Sequence, residues 1–124
     1  MSNAALVDTD VFSYIYKGDT RAQLHTRHLL GVRAHLSFTT VAELYRWAKS
    51  SGWGQVRVDD LLATISNYTV VGWDDATAWE WARVMSIKGR PMAHADAWVA
   101  AVALRHGVPL VTHNRRHFDG IPPG

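Results

Sequence analysis

The stretch "LVDTDVFSYI", residues 6–15, places two aspartates between an apolar pair and a mostly apolar run. The pair belongs to a predicted strand, residues 4–8, and the run predicts a helix over residues 11–16. Asp8 and Asp10 therefore lie at a strand-to-helix junction. An aspartate at such a junction can cap the helix, or it can bring a carboxylate to the rim of a sheet where a ligand binds.

Short apolar stretches and longer helical patterns alternate along the rest of the chain. The predicted strands are 34–38, 68–73 and 109–114, and the predicted helices are 21–30, 39–52, 58–68, 74–88 and 94–107. Helices between strands indicate βαβ crossovers, which make the strands parallel and place helices on both faces of the sheet. We therefore expect a three-layer α/β/α fold with a central, mainly parallel sheet of about four to five strands.

The composition narrows the class of protein. The chain has 124 residues, of which 48% are hydrophobic, so one hydrophobic core and a single domain over residues 1–124 are expected. It has no cysteine, which excludes disulfides and thiolate metal sites and favours a reducing compartment, the cytoplasm. The apolar run "AWVAAVAL", residues 97–104, is too short to cross a bilayer, so no membrane association is expected.

The charge distribution suggests an acidic site in a basic setting. The net charge is only +2, a weak indication of an anionic partner. Outside a site formed by four of the acidic residues, seven acids would face thirteen Lys and Arg, an excess of six positive charges. The four acids in question are Asp8, Asp10, Glu43 and Asp96.

Polar residues from distant parts of the chain are expected to converge at one edge of the sheet. In an open parallel sheet, ligands bind outside the carboxyl ends of the strands. Asp8 closes the first predicted strand, and Thr112 and Asn114 close the last. Glu43 and Asp96 each lie in the first turn of a predicted helix, and helix starts share that side of the sheet.

Each of these residues also has a purely structural interpretation. Either aspartate of the first junction can cap the helix that follows. The Thr40-x-x-Glu43 spacing predicts a capping box. Asp96 complements a helix dipole, and Asn114 is a common turn former. The functional interpretation therefore depends on the set and not on any single residue.

A cluster of three carboxylates has a chemical requirement. Like charges about 4 Å apart oppose each other by several kcal/mol at an effective dielectric near 20, so the cluster needs a proton or a cation. Oxygen ligands favour a hard cation, Mg²⁺ or Mn²⁺, which keeps several waters and usually meets substrate phosphates. One or two such ions can activate a water and stabilise the leaving oxygen of a phosphodiester.

Four segments of the chain together resemble the successive motifs of PIN-domain proteins, and specifically the VapC-like toxic ribonucleases of bacterial toxin–antitoxin pairs. The segments are "LVDTDVFSYI", "SFTTVAELYRW", "HADAWVAAVAL" and "LVTHNRRHFDGIP". The resemblance spans residues 5–122 and implies a PIN-like fold. Each motif is short, but four in this order and spacing are specific.

The resemblance implies a Mg²⁺-dependent endoribonuclease, with Mn²⁺ as a possible substitute ion. It implies that the metal-binding acids are Asp8, Glu43 and Asp96, that Asn114 completes the catalytic set, and that Asp10 and Thr112 lie around them. Asp8 is then a metal ligand, while Asp10 both caps the helix and braces the site. The implied partners are an RNA substrate and a small antitoxin protein, and a homodimer is expected.

The chain departs from the family pattern after its final strand. Members of the family often have a fourth acid in this region. Here Thr112-x-Asn114 and then His117 stand in its place. A second metal would therefore be weakly held, or would bind only with substrate.

Two further features concern partners. The candidates for RNA phosphate contacts are Arg46, Lys49, Arg90, Arg115 and Arg116.

In the 74–88 helix, Trp79 and Trp81 are about 200° apart on the helical wheel, so both cannot point into one core. Trp81 belongs to the apolar stripe, which leaves Trp79 either simply exposed or an anchor for a second subunit or an antitoxin segment.

Other chemistries fit the sequence less well. A haloacid-dehalogenase-like phosphatase needs Thr or Val where this chain has Phe12, and a receiver domain needs a lysine after its last strand, although Asp74 could be its acid. Two histidine pairs have spacings that a zinc site could use, but neither has the glutamate of a metalloprotease motif. They are His25-x-x-His28 and His113-x-x-x-His117. The remaining alternative is a non-catalytic PIN-like module that binds RNA or protein.

Overall fold

A computed structural model describes residues 3–87, 89 and 92–119, which form a parallel four-stranded sheet flanked by helices. The strands are β1 (Ala4–Val7), β2 (Arg33–Ser37), β3 (Thr69–Val71) and β4 (Leu110–Val111), in the spatial order β3-β2-β1-β4. The helices of this part are α1 (Thr9–Lys17), α2 (Gln23–Thr26), α3 (Phe38–Ser50), α4 (Gln55–Ile65), α5 (Asp75–Met85) and α6 (His94–His106). The predicted α/β fold with a parallel sheet is confirmed.

Side-chain alternation along β1 separates the two faces of the sheet. All four residues of β1 are buried. Leu6 packs with Val99 and Val102 of α6, whereas Val7 packs in the cluster that contains Leu44 of α3 and residues of α1 and α4. Full burial of a Leu or Val side chain contributes about 1.5–3 kcal/mol. Helices therefore cover both faces, which gives the expected three layers.

The strand register places the residues after β1 and β4 side by side. Val7 pairs with Val111, and the backbone N–H of Asp8 donates to the Val111 carbonyl at 3.0 Å. Asp8 and Thr112 are the next residues along their chains. Both therefore lie at the carboxyl edge of the sheet, as the sequence predicts.

Helix α6 lies against the sheet because one long stretch of it is small and apolar. Ala97, Val99 and Ala101 are among its buried residues. The helix ends at Gly107, which adopts a left-handed conformation with φ 61°. Its first turn contains Asp96 and lies at the same edge of the sheet as Asp8.

The prediction of one continuous helix over residues 21–30 is wrong. The segment consists of a 3₁₀ turn at Thr20–Ala22, the four-residue α2, and a second 3₁₀ turn at Arg27–Leu29. Leu24 and Leu30 are 60% and 78% exposed. A short helix is marginal unless an apolar face is packed, and the packed apolar residues of this segment are few: Ala22 is buried and Leu29 is partly buried.

The predicted placement of the two tryptophans of α5, with Trp81 packed and Trp79 left exposed, is confirmed. Trp81 stacks on Trp98 of α6 with 5.1 Å between ring centroids, whereas Trp79 is 72% exposed.

In the described part of the chain, no helix has the length and apolar content needed to cross a membrane.

Candidate active site

The predicted site residues converge in a cleft of about 270 Å³. The cleft lies where the carboxyl ends of β1 and β4 meet the first turn of α6. No lysine or arginine of the described residues lines it. Its walls are Asp8, Thr9, Asp10, Glu43, Ala95, Asp96, Val99, Asn114 and His117.

Asp8 is held rigidly at the bottom of this cleft. It is the N-cap of α1: one carboxylate oxygen accepts from the backbone N–H of Thr9 at 2.8 Å. The other accepts from the hydroxyl of Thr112 at 2.8 Å. Burial, followed by the neighbouring Asp10 charge, raises the pKa of Asp8 to about 6. The structure thus fixes this carboxylate in place without neutralising its charge.

The prediction that Asp10 caps the first helix is wrong, because Asp8 occupies the N-cap position. Asp10 lies in the first turn, where one carboxylate oxygen accepts from the N–H of Val11 at 2.7 Å. The other accepts from the Asn114 side-chain amide at 2.8 Å, and the Asn114 N–H donates to the Thr112 hydroxyl at 3.2 Å. These bonds tie α1 to the end of β4 on one side of the cleft.

The predicted Thr40–Glu43 capping box is also absent. Helix α3 begins earlier, at Phe38, and its N-cap is Ser37, whose hydroxyl accepts from the N–H of Thr39 at 3.2 Å. Thr40 is therefore buried inside the helix, and Glu43 lies in its second turn. The side chain of Glu43 is free of capping and faces the cleft instead.

Thr9 is a member of the site that sequence reasoning missed. Its hydroxyl lies 3.0 Å from the Thr40 hydroxyl and 3.1 Å from a carboxylate oxygen of Glu43, so it can donate to either. Burial raises the pKa of Glu43, and the hydrogen bond from Thr9 opposes that change. The only signal in the sequence was its position between two aspartates.

Asp96 meets a residue from the end of the described chain. One of its carboxylate oxygens lies 3.2 Å from Nδ1 of His117, which belongs to the 3₁₀ turn Arg115–Phe118. Burial raises the pKa of Asp96, the nearby His117 opposes this change, and the charge of Asp10 adds to it. Carboxyl groups from three separate elements thus share one poorly compensated site.

The histidine pairs do not form the zinc sites that their spacings allow. His113 contacts His25 at 2.9 Å between ring nitrogens, whereas His117 contacts Asp96. Over residues 3–87, 89 and 92–119, no three histidine, aspartate or glutamate side chains are close enough, as they stand, to hold one ion. The same holds in the cleft, whose carboxyl groups are too far apart to share a cation without side-chain rotation.

The residues that other chemistries would use have structural roles. Phe12 is buried in the core. Asp74 is the N-cap of α5, where it accepts from Thr77 at 2.7 Å, and it pairs with Arg105. Neither residue lines the cleft.

The two basic candidates of α3 lie in different surroundings. Arg46 is exposed, and its charge lowers the pKa of the nearby Glu43, against the larger effect of burial. Lys49 lines an apolar groove with Tyr45 and Trp53, apart from the acidic cleft. The structure therefore brings Arg46, but not Lys49, to the site.

The other basic candidates follow β4 or lie in the connection before α6. Arg115 and Arg116 are exposed in the 3₁₀ turn that begins directly after Asn114. Arg90 lies outside the described residues.

Comparison with known proteins identifies the family of this fold. The sequence model of a protein family, the PIN domain, matches residues 5–122 of this chain. Ribonuclease VapC1 of Haemophilus influenzae is 30% identical over 121 residues, which cover 94% of this chain and 90% of that protein. VapBC-1 from nontypeable Haemophilus influenzae has a TM-score of 0.79 at 24% identity, over 93% of this chain and 90% of that one. A toxin–antitoxin complex from Klebsiella pneumoniae has a TM-score of 0.72 at 23% identity, over 96% and 93%. The chain belongs to the PIN-domain family.

Proposed function

We propose that this PIN-domain chain is a metal-dependent endoribonuclease and the toxin of a toxin–antitoxin pair. The observation that carries the proposal is the convergence of Asp8, Glu43, Asp96 and Asn114 in one cleft that no lysine or arginine of the described residues lines. The Haemophilus influenzae relative is named as a ribonuclease, which supports RNA as the substrate class of this chain.

The donor set of the cleft fits Mg²⁺, with Mn²⁺ as a substitute. Its ligand atoms are mainly carboxylate and amide oxygens, which hard divalent cations prefer. Full or partial burial is the largest cause of the raised pKa values of Asp8, Glu43 and Asp96, and a bound cation would oppose it. When bound, the ion supplies Lewis-acid activation of water and neutralises charge on the phosphodiester.

The protein's own residues orient that site. Asp8 is the fixed member, because Thr9 and Thr112 occupy one lone pair on each of its oxygens. Glu43 and Asp96 are the adjustable members, since among the described residues each is held through one side-chain partner, Thr9 or His117, and each would rotate to share an ion with Asp8. Asn114 completes the set, and its bond to Asp10 keeps its amide at the rim of the cleft.

Basic residues beside the cleft bind the RNA backbone in this proposal. Arg46 is one turn from Glu43 in α3, and Arg115 and Arg116 follow Asn114 in the chain, where Arg115 also lines a neighbouring cavity with His25 and Thr112. Contacts of this kind position a nucleic acid through its phosphates and carry no sequence information.

The proposed partners are a short antitoxin and a second copy of the chain, in the cytoplasm. The solved structures that this fold resembles include a toxin–antitoxin complex, and the exposed Trp79 is available as an anchor for a protein partner. Expressed from its own operon, the chain should copurify with a small protein. Purification alone, without harm to the host, would contradict the toxin assignment.

The decisive experiment incubates purified protein with total cellular RNA, with Mg²⁺ and with EDTA, beside an Asp96→Asn variant. We expect cleavage only by the wild type and only with the ion. RNA that is bound but never cut in a metal-dependent way would favour the non-catalytic binding module.

A further inference from the structure

His117 is delivered to the cleft by an anchored turn. Its backbone N–H donates to the Asn114 carbonyl at 3.0 Å, within the 3₁₀ turn. The next residue, Phe118, packs against the apolar clusters that include Leu6 and Ala97. Because both sides of His117 are held in this way, its imidazole lies among the cleft residues although 55% of the side chain is exposed.

The contact between His117 and Asp96 has the spacing of two ligands on one ion. Neighbouring ligand atoms on an octahedral ion, each about 2.1 Å from it, are about 3.0 Å apart. Nδ1 of His117 and the Asp96 oxygen are 3.2 Å apart. A cation that replaced the hydrogen bond between these two atoms would therefore meet both at ligand spacing, once the Asp96 carboxylate had turned toward Asp8.

The imidazole also changes the chemistry of the donor set. Every other ionisable side chain that lines the cleft is a carboxylate. Imidazole nitrogen binds first-row transition ions in an order that rises from Mn²⁺ to Co²⁺ and Ni²⁺, whereas Mg²⁺ prefers oxygen. We propose that His117 is a metal ligand that makes this cleft bind Co²⁺ and Mn²⁺ more tightly than Mg²⁺. This inference rests on the proposed metal-dependent function.

A different role for His117 makes opposite predictions. If its protonated ring only balances the charge of Asp96, it competes with any cation for that carboxylate. Removal of the ring would then tighten the binding of every divalent ion. The metal-ligand role requires that removal weakens the binding of transition ions and spares that of Mg²⁺.

The test is calorimetric titration of the RNA-free wild type, His117→Ala and His117→Asp with Co²⁺, Mn²⁺ and Mg²⁺ at about pH 8. We expect His117→Ala to lose about tenfold or more in Co²⁺ affinity, less for Mn²⁺, with Mg²⁺ affinity unchanged or higher. His117→Asp, which replaces nitrogen by oxygen, should bind Mg²⁺ more tightly than the wild type does.

The matched control is His106→Ala, which removes an exposed histidine from the opposite end of α6, about 15 Å along the helix from Asp96. Electron paramagnetic resonance of bound Mn²⁺ provides a second measurement. Nitrogen hyperfine coupling should be present in the wild type and in His106→Ala, and absent in His117→Ala. A role in folding alone would not change this coupling.

Three results would overturn the inference. They are equal losses of affinity for all three ions, tighter binding of all three, and nitrogen coupling that persists in His117→Ala. A wild type that binds ions and cuts RNA, with selectivity unchanged in His117→Ala, would refute only the role of His117. A wild type that binds none of the ions would refute the proposed function as well.

Discussion

The aspartates of the cleft and those of the surface have opposite electrostatic environments. Asp19 forms a hydrogen-bonded ion pair with Arg21 at 2.8 Å, and this partner lowers the pKa of Asp19 to about 2. Over the described residues, no lysine or arginine lines the cleft around Asp8, and burial raises the pKa of Asp8 to about 6. The fold thus stabilises the ionised form of the surface acid and destabilises that of the cleft acid. Acids whose pKa is shifted in the way that the pKa of Asp8 is are typical of functional sites.

The largest expected effect comes from removing one cleft charge. Asp96→Asn should lower metal-dependent RNA cleavage by about a thousandfold or more, because even outer partners of metal ligands cost 10- to 100-fold when removed. The measurement is the initial rate of cleavage of one defined RNA at saturating Mg²⁺. A variant that retains a tenth of the wild-type rate would exclude Asp96 from the metal site.

Asp74→Asn is the matched control for that experiment. Asp74 is also an aspartate near a helix start, but it caps α5 through Thr77 and pairs with Arg105. Its pKa is lowered, first by the hydrogen bond from Thr77. We expect this variant to melt at a lower temperature and to cleave RNA at the wild-type rate, so activity and stability separate between the two aspartates.

The next effect is a pH dependence of stability in the metal-free protein. The folded pKa of Asp8 lies near 6, above its ordinary 3.8, so the folded state binds its proton more tightly than the unfolded state does. The stability contributed by the protonated form is complete below about pH 4 and is lost as pH rises through about 6. The loss is on the order of 3 kcal/mol.

Urea unfolding of the wild type and of Asp8→Asn in EDTA, between about pH 4 and pH 7.5, measures this contribution. The difference in unfolding free energy between the two proteins should change across that range in favour of the variant. A difference that is constant with pH would show that the Asp8 carboxyl has an ordinary pKa.

The smallest expected effect concerns the arginines. Arg46 lies beside Glu43 and is proposed to contact RNA, whereas Arg21 is already paired with Asp19. In an Asp96→Asn background, Arg46→Ala should weaken RNA binding. The slope of log K against the logarithm of the salt concentration should also become shallower by about 1, the value for one phosphate contact. Arg21→Ala should leave both unchanged. Equal slopes for the two variants would remove Arg46 from the RNA surface.

The parallel sheet and the main acids could be predicted because their signals are local. Strand β1 is a short apolar run that stops at Asp8, and α6 is an alanine-rich segment with one acid, Asp96, in its first turn. Parallel topology then determines that such positions share one edge of the sheet. Neither prediction needs knowledge of which side chains touch.

The errors arise where several residues compete for one local role. Ser37 and Thr40 can both cap a helix, and Ser37 does so because β2 ends there. Asp8 and Asp10 compete in the same way at α1. The contacts of Thr9 with Glu43 and of His117 with Asp96 could not be predicted, because each depends on packing between elements that are far apart in the sequence.

Thermal melts of the wild type and Asp96→Asn, each in EDTA and in Mg²⁺, test most directly whether the cleft acids form a metal site. With the ion at a hundredfold excess over its Kd, the wild type should gain about 2.7 kcal/mol. The variant should gain much less, and without metal it should be at least as stable as the wild type, because one repelling charge is gone. A variant less stable than the wild type in EDTA, together with a wild type that does not respond to Mg²⁺, would contradict this account.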